Sequence, residues 1–461
     1  MHKRFGPIAL VCLLSALAAG CATTQVSAPA QPVQQLDTAM ASAAALARNE
    51  AALSPQDRAR NARQIDQLLA GVDNATLARG AAQLPPGDPL YPYVGRALLN
   101  RGLPLPRPFE RGEQWSAGMA ARPAAERDGY RPPLKMAVLL PLSGQLATAA
   151  APVRDGLLAG YYAEDRRRPE IDFIDTAGTA AGAQAAYSRA VASGADFVLG
   201  PLGRDEVTAI FSGSNLSVPV LALNRGNDDA PPAGHAGFSL APEEDGIIAA
   251  EYLLGLERRN VVVLAGNDES ARRAANAFRE RFSGRGGNVV QTLTVGDDAA
   301  GLAANLAPLA QQQVDGVFLS LRGNVARAVA PQLALSGLGG SSRVGTSQLT
   351  LGTGTPAQDM ALDGIVYPTE AWTAGGVRGL PSAAMVGSQM ATARGPAARL
   401  FAFGHDAWLL TAYLERLATV ANAELPGATG RLRLDGFGNV VRTPVWSTFS
   451  GGRPTSIAGG R

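Results

Sequence analysis

From position 134 onward, short apolar runs alternate with helical stretches of roughly 12 to 16 residues, and this alternation restricts the fold more than anything else in the sequence. The runs are MAVLLP from Met136, IDFID from Ile171, DFVLG from Asp196, VPVLAL from Val218, NVVVLAG from Asn260, VVQTLTV from Val289 and DGVFLSL from Asp315. Each has the length of a strand buried on both faces, which reads as a continuous apolar run because neither side meets water. The helices between them carry one apolar stripe. Ala183, Ala186, Tyr187, Ala190 and Val191 recur at helical spacing, and so do Ala271, Ala274, Ala275, Phe278 and Phe282. Repeated strand–helix–strand units predict an α/β chain with doubly wound parallel sheets, since parallel neighbours need a crossover and the crossovers cover both faces.

These strands fit either one large sheet or two smaller ones. The stretch RGNDDAPPAGHAGFSLAPEEDG (225–246) is long, rich in turn residues, and follows four of the runs, so it predicts a passage from one lobe to another. Further breaks near IVYPTEAWTAGG and LPGATG give three crossings in all. The expected lobes are about 133–238 with 369–426, and about 239–368 with 427–453. Such a pair forms a hinged cleft at the carboxyl ends of its strands. The loops at those ends supply the candidate cleft residues Ser143, Gly144, Pro201, Leu202, Asn224, Arg225, Asn267, Asp268, Ser347 and Glu370.

The front of the chain is of another kind. Residues 1–20 open with Lys3 and Arg4, continue through an apolar stretch and end in small residues, the pattern of an exported signal peptide. Both cysteines, Cys12 and Cys21, lie at this end, so no disulfide is expected in the body of the protein. Residues 21–35, rich in Ala, Thr, Gln and Pro, read as a tether. Residues 36–103 predict a small all-α segment: Ser54 before Pro55 fits an N-cap with Pro at the first helical position, Gly71 fits a stop, and PLYPYVGRALLNRGL is a second candidate helix. Residues 104–132, broken by Pro and Gly, read as a linker. Once the leader is set aside, bases and acids are equal at 39 each, which argues against nucleic acid as the partner.

Enzyme chemistry is tested by exclusion. A Ser-x-x-Lys nucleophile is missing, because Pro132 stands three places before Lys135, and there is no Lys-Thr-Gly. Beyond the leader the histidines are His235 and His405, too far apart in sequence for metal-ligand spacing, so no metal or cofactor is expected. His235 reads as an exposed loop residue, and His405 as the start of a helix whose apolar face runs through Leu410, Tyr413, Leu414 and Leu417. Glu243, Glu244 and Asp245 read as a helix start, where negative charge meets the positive helix end. Arg166, Arg167 and Arg168 read as a solvated loop, and GLGGSS at Gly337 as a turn.

Four stretches carry a resemblance: KMAVLLPLSGQLATAAAPVRDGLLAGYYAE, DFVLGPLGRDEV, RLFAFGHDAWLL and GATGRLRLDGFGNVVRTPVWSTFSGGRP. Together, over about residues 133 to 453, they resemble the LppC family of lipoproteins, which has the type I periplasmic-binding fold. The last stretch reads as a Gly-x-x-Gly turn, an Arg/Leu strand, a DGFGN turn and a closing strand ending in WSTF, making one hairpin. The leader's LAAGC resembles the lipobox of bacterial lipoproteins, which implies lipidation of Cys21; Ala22 in place of Asp implies sorting to the outer membrane, facing the periplasm. Members of the family carry a long N-terminal array of tetratricopeptide-like helices, against which the segment before Leu134 is short, and His405 stands where an aliphatic residue is expected. The resemblance implies a non-enzymatic activator that docks on a class A penicillin-binding protein, a peptidoglycan synthase. In amino-acid-binding relatives of the fold, strand-end loops offer hydroxyls and backbone N–H groups to a carboxylate while an acid meets the amine, so a solute-binding module for an amino acid, peptide or cell-wall fragment is the alternative.

Overall fold

The computed structural model describes residues 36–110, 122–213, 216–227, 230–297 and 299–457. The leader, the tether and Cys21 lie outside these residues. The helical front begins with α1 (Thr38–Asn49) and α2 (Pro55–Ala70), followed by α3 (Asn74–Gln83) and α4 (Tyr91–Asn100). As expected, the Ser54 hydroxyl caps α2 by accepting from the Asp57 amide at 3.3 Å, Pro55 takes the first turn, where its missing N–H costs nothing, and Gly71 follows the last residue.

The seven apolar runs become strands: β1 (Lys135–Leu140), β2 (Glu170–Asp175), β3 (Phe197–Leu199), β4 (Val220–Ala222), β6 (Asn260–Ala265), β7 (Asn288–Thr294) and β8 (Gly316–Ser320). Between β4 and β6 lies a further strand, β5 (Ala236–Phe238). The later strands are β9 (Ser342–Gly345), β10 (Val366–Thr369), β11 (Leu425–Pro426), β12 (Arg431–Leu434), β13 (Asn439–Thr443), β14 (Val445–Ser450) and β15 (Arg453–Ser456). The helices that follow the front are α5 (Ala147–Ala163), α6 (Ala180–Ala192), α7 (Arg204–Phe211), α8 (Pro242–Gly255), α9 (Glu269–Gly284), α10 (Leu302–Ala310) and α11 (Gly323–Leu335). After three short ones, α12 (Pro356–Asp359), α13 (Ala371–Gly375) and α14 (Ala383–Gln389), comes the long α15 (Ala397–Thr419).

The strands form two sheets, an eight-stranded one in the order β11-β12-β13-β5-β4-β3-β1-β2 and a seven-stranded one in the order β15-β14-β10-β9-β8-β6-β7. Both are covered on both faces, which is why their strands read as unbroken apolar runs. Met136, Val138 and Leu140 of β1 pack into one core while Ala137 and Leu139 pack into another; in β6, Val262 and Leu264 face one way and Val261, Val263 and Ala265 the other. Helices α5 and α15 cross at glycines: a Cβ on Gly156 would collide with the carbonyl of Phe401, and one on Gly404 with the carbonyl of Val153.

Three crossings join the sheets, though not all where the sequence puts them. The first is residues 239–241, just after β5, a strand inside the turn-rich stretch. The second follows β10. The third is Pro444 alone, between β13 in the first sheet and β14 in the second, so β11, β12 and β13 belong with the first sheet and residues 427–443 are not part of the second lobe. The expected single hairpin is likewise two things: β12 and β13 pair antiparallel, and the WSTF strand leaves to pair with β10. Local turn chemistry pointed to one hairpin; the missing N–H and fixed φ of Pro444 mark where it ends.

The stretch read as a linker is tied down where it is described. The amide of Leu105 donates to the Asn422 side chain and its carbonyl accepts from the same side chain at 2.9 Å; Phe109, Arg122 and Tyr130 are buried. Arg166 is no free solvated residue: it pairs with Glu164 at 2.8 Å and Asp128 at 3.0 Å and lies 3.7 Å over the Tyr130 ring, while Arg167 donates to the carbonyls of Pro132 and Pro133. The helical front touches the first sheet through Tyr93, whose ring meets Phe437 of the β12–β13 turn at 4.7 Å, with Arg96 stacked 4.3 Å from the Phe437 ring. Its α2 also packs against α9 of the second sheet.

Candidate functional site

The crossings bring together charged groups that are far apart in sequence. Arg225 follows β4, Arg442 lies on β13 and Arg399 lies in the first turn of α15; all three belong to elements of the first lobe. Glu244 and Asp245 open α8, Ser347 follows β9, and Glu370 follows β10, all on the second. Arg225 reaches Glu244 at 2.8 Å, and Arg442 lies between Glu244 at 3.9 Å and Asp245 at 3.8 Å. Asp245 accepts from the backbone amide of Ser347 at 2.9 Å and from its hydroxyl. Arg399 donates to that same hydroxyl and sits 3.3 Å from Glu370. Three arginines of one lobe thus meet three carboxylates and a serine of the other.

The centre of this network is buried, and burial sets its electrostatics. The side chains of Arg442 and Asp245 are only 2% and 3% exposed. Loss of water pushes the Glu244 carboxyl up from its ordinary range, against the pull of Arg225 and Arg442. At 3.8 to 3.9 Å the Arg442 contacts are ion pairs without direct hydrogen bonds, and Glu244 Oε2, Asp245 Oδ1 and Arg442 Nε have no hydrogen-bond partner among the described residues. Separations of that size are where a bridging water fits. The acidic triplet was read as capping a helix start; its first member, Glu243, pairs with Arg273 of α9 at 2.6 Å, and the other two face across the lobes.

The expected cleft residues fall into two groups. Arg225, Ser347 and Glu370 join the network. Ser143 is exposed and donates to Asp175 at 2.6 Å, a bond that, ahead of the amide of Ala177, holds the Asp175 carboxyl below its usual range. Gly144, at φ +78°, turns the chain there, where a Cβ would press on the carbonyl of Ala177. Pro201 follows a cis peptide bond after β3; Asn224 donates to the carbonyl of Leu202 at 2.9 Å; Asn267 gives its carbonyl to Arg272, and its neighbour Asp268 caps α9. None of this second group pairs across the lobes. Arg399, Arg442, Glu244 and Asp245 are not among the expected cleft residues. The available signal was a charge set among apolar neighbours in RLFAFGHDA and GNVVRTP.

Both histidines differ from expectation. His235 is buried, its Nδ1 accepts from the amide of Val220 at 3.1 Å, and burial lowers its pKa to about 4. His405 sits mid-helix, because α15 starts at Ala397, and its ring lies against Gly160 of α5. The neighbouring Asp406, wholly buried, accepts from the amides of Ala428 and Thr429 at 2.5 and 2.7 Å and from the Thr429 hydroxyl at 2.6 Å. Gly427 faces that carboxylate with no room for a Cβ, so the FGHDA and GATG stretches are two halves of one joint. Among the described residues no group of three or more His, Cys, Asp or Glu could hold a metal ion, and no helix is long and apolar enough to cross a membrane.

With both signature stretches meeting at Asp406, comparison with known proteins becomes decisive. The LppC lipoprotein family model matches residues 130–452. The chain belongs to the LppC family. Curated relatives include the penicillin-binding protein activator LpoA of Photobacterium profundum, 25% identical over 358 residues that cover 68% of this chain and 56% of that protein, and LpoA of Vibrio antiquarius, 25% identical over 350 residues covering 68% and 57%. The chain spans about half the length of the curated relatives it matches. Among solved structures, the C-domain of Haemophilus influenzae LpoA, described as a regulator of PBP1A, superposes with a TM-score of 0.60 at 20% identity over 70% of this chain and all of that one. Full-length LpoA from the same organism gives 0.61 at 16% identity over 93% and 89%, a likeness of fold. A candidate branched-chain amino acid ABC transporter protein from Chromobacterium violaceum gives 0.55 at 27% identity, over 68% of this chain and all of that one. The LppC region is thus a two-sheet, periplasmic-binding-like α/β fold behind an all-helical front.

Proposed function

We propose that this chain is a lipoprotein anchored through Cys21 in the outer membrane, facing the periplasm, that activates a class A penicillin-binding protein by docking and itself makes and breaks no covalent bond. The observation that carries this reading is the network between the lobes: the chain's own arginines take up the carboxylates and the serine that a solute receptor would keep for its ligand. Lobes tied in this way present a surface of fixed shape, and a surface of fixed shape can spend its binding energy on favouring the active state of a partner. Membership of the LppC family and relatives called penicillin-binding protein activators support the choice of partner.

The test adds the purified mature chain to a class A synthase of the same cell and measures crosslinking of the peptidoglycan product. A rise that saturates with added chain is expected. No change in crosslinking with any class A synthase of that cell would refute the docking reading. The anchor is tested separately by metabolic labelling with palmitate, which Cys21→Ala should abolish.

A further inference from the structure

The helical front meets the second lobe where α2 and α9 end: a Cβ on Gly284 would stand 3.1 Å from that of Ala70. Three arginines gather at this joint. Arg101 follows α4, Arg281 lies in the last turn of α9 and Arg285 comes just after it. Arg101 donates to the carbonyls of Leu69 and Val72 at 2.7 Å, to that of Ala70 at 3.2 Å and to the Asn74 side chain at 3.1 Å, all within the front. Arg281 and Arg285 share one acid, Glu251 of α8, at 2.5 and 3.6 Å. Each of the three guanidiniums keeps one buried nitrogen without a hydrogen-bond partner among the described residues: Arg101 Nε, Arg281 Nη2 and Arg285 Nε. Buried N–H groups in folded proteins are almost always paired, so three orphaned donors at one joint call for an acceptor.

Charge says which acceptor. Burial lowers the pKa of Arg101 to about 10, and the like charges of Arg285 and Arg281 push the same way harder than Glu251 and Asp73 push back. Asp73 is engaged elsewhere, accepting from the amides of Ala75 and Thr76 at 3.0 Å as the cap of α3. The carbonyl end of α2 offsets part of the Arg101 charge, and Glu251 offsets one of the other two. The surplus is positive, so the acceptor is an anion. Its shape follows from the donors, which lie on three separate groups: a carboxylate has two oxygens in one plane and fills a single guanidinium fork, whereas a tetrahedral oxyanion offers oxygens to several. We propose that the joint between α2 and α9 binds a phosphate group, free or carried as a monoester, on Arg101, Arg281 and Arg285. The side chains of Arg281 and Arg285 are 11% and 20% exposed, which leaves the edge of the joint open to a small ion. A phosphate held there bridges the front and the second lobe and tightens their contact.

The experiment is calorimetric titration and thermal melting of the mature chain with sodium phosphate, against sodium chloride and sodium acetate at equal ionic strength. Phosphate is expected to raise the melting temperature by roughly 2 °C at about ten times its Kd, and chloride and acetate to leave it in place. Arg285→Gln, which leaves the bonds of Arg101 and Arg281 intact, should weaken phosphate binding by about ten-fold or more. Glu251→Gln removes the competing carboxylate and should tighten it, a change of opposite sign that a general salt effect does not produce. Circular dichroism confirms that each variant is folded; should Arg285→Gln not fold, Glu251→Gln decides the matter. The proposal is overturned if phosphate acts no differently from chloride and acetate, if folded Arg285→Gln binds phosphate as the parent does, or if Glu251→Gln binds it no more tightly. Glycerol phosphate separates the two sources: tighter binding than inorganic phosphate assigns the site to a carried phosphate, equal or weaker binding to the free ion. Phosphate binding is read without a synthase, so failure here leaves the docking reading standing, and the reverse holds as well.

Discussion

The strand-end loops of the two lobes are made of similar residues and use them in opposite ways. On the first lobe the polar groups are closed on themselves: Asp175 takes the Ser143 hydroxyl and the amides of Leu142 and Ala177, Asn224 reaches back to Leu202, and Glu206 accepts from the Gly203 amide at 2.6 Å. On the second lobe, Glu244 and Glu370 find their cations, and Ser347 its donor, on arginines of the first. The first set would survive separation of the lobes unchanged. The second would lose its partners and be left as buried or newly wetted charge, so the closed arrangement of this cleft is held by the chain itself.

That contrast can be broken most severely at Arg442, whose side chain is 2% exposed. Arg442→Met should lower the stability to urea by about 3–5 kcal/mol, because it takes out of a buried site the cation that Glu244 and Asp245 share; a loss below about 1 kcal/mol would mean that Arg225 and Ser347 suffice to hold the two carboxylates. Next comes an acid transition seated in the first lobe alone. His235 is held neutral in the fold with a pKa near 4, against 6.5 for the free side chain. As the pH falls below 6.5 the unfolded chain takes up a proton that the folded chain refuses, so stability is full above 6.5 and declines by roughly 3 kcal/mol as the pH reaches 4. Denaturant midpoints across that window should flatten in His235→Asn.

Two smaller effects sharpen the comparison. Arg225 is 36% exposed, so Arg225→Gln should cost about 1 kcal/mol or less, and a double-mutant cycle with Glu244→Gln should show coupling that shrinks in high salt. Small-angle scattering should register a wider mean lobe separation in Arg442→Met than in Arg225→Gln. Ser143→Ala removes a bond internal to one loop and should cost roughly 0.5–1 kcal/mol with no change in scattering. If Ser143→Ala widened the molecule as Arg442→Met does, the distinction between the two sets of loops would not hold.

Much of the architecture could be read from the chain. The apolar runs from Met136 to Asp315 appear as strands, and the stripes through Ala183 and Ala271 lie buried, because burial on both faces of a parallel sheet writes itself into consecutive residues. The strands that went unread, β5, β9, β10, β11 and β15, are two to four residues long and contain Gly, Ser, Pro or Thr, so no local pattern distinguishes them from turns. The site was legible only in part. Arg225, Ser347 and Glu370 were marked as strand-end residues, while Asp245 looked like a helix start and Arg442 like one member of a hairpin.

Sequence alone determined the class of fold, the helical front with its Ser54 cap, and the kinship carried by the FGHDA and DGFGN stretches, since each depends on neighbours within a turn or a strand. Only the tertiary structure decided that Pro444 sends the final strands to the other sheet, that the linker is clamped by Asn422 and Tyr130, and that three arginines span the lobes. The reason is distance along the chain. Arg442 and Asp245 are nearly two hundred residues apart, and a charge carries no local signature of the partner it will meet once two lobes close.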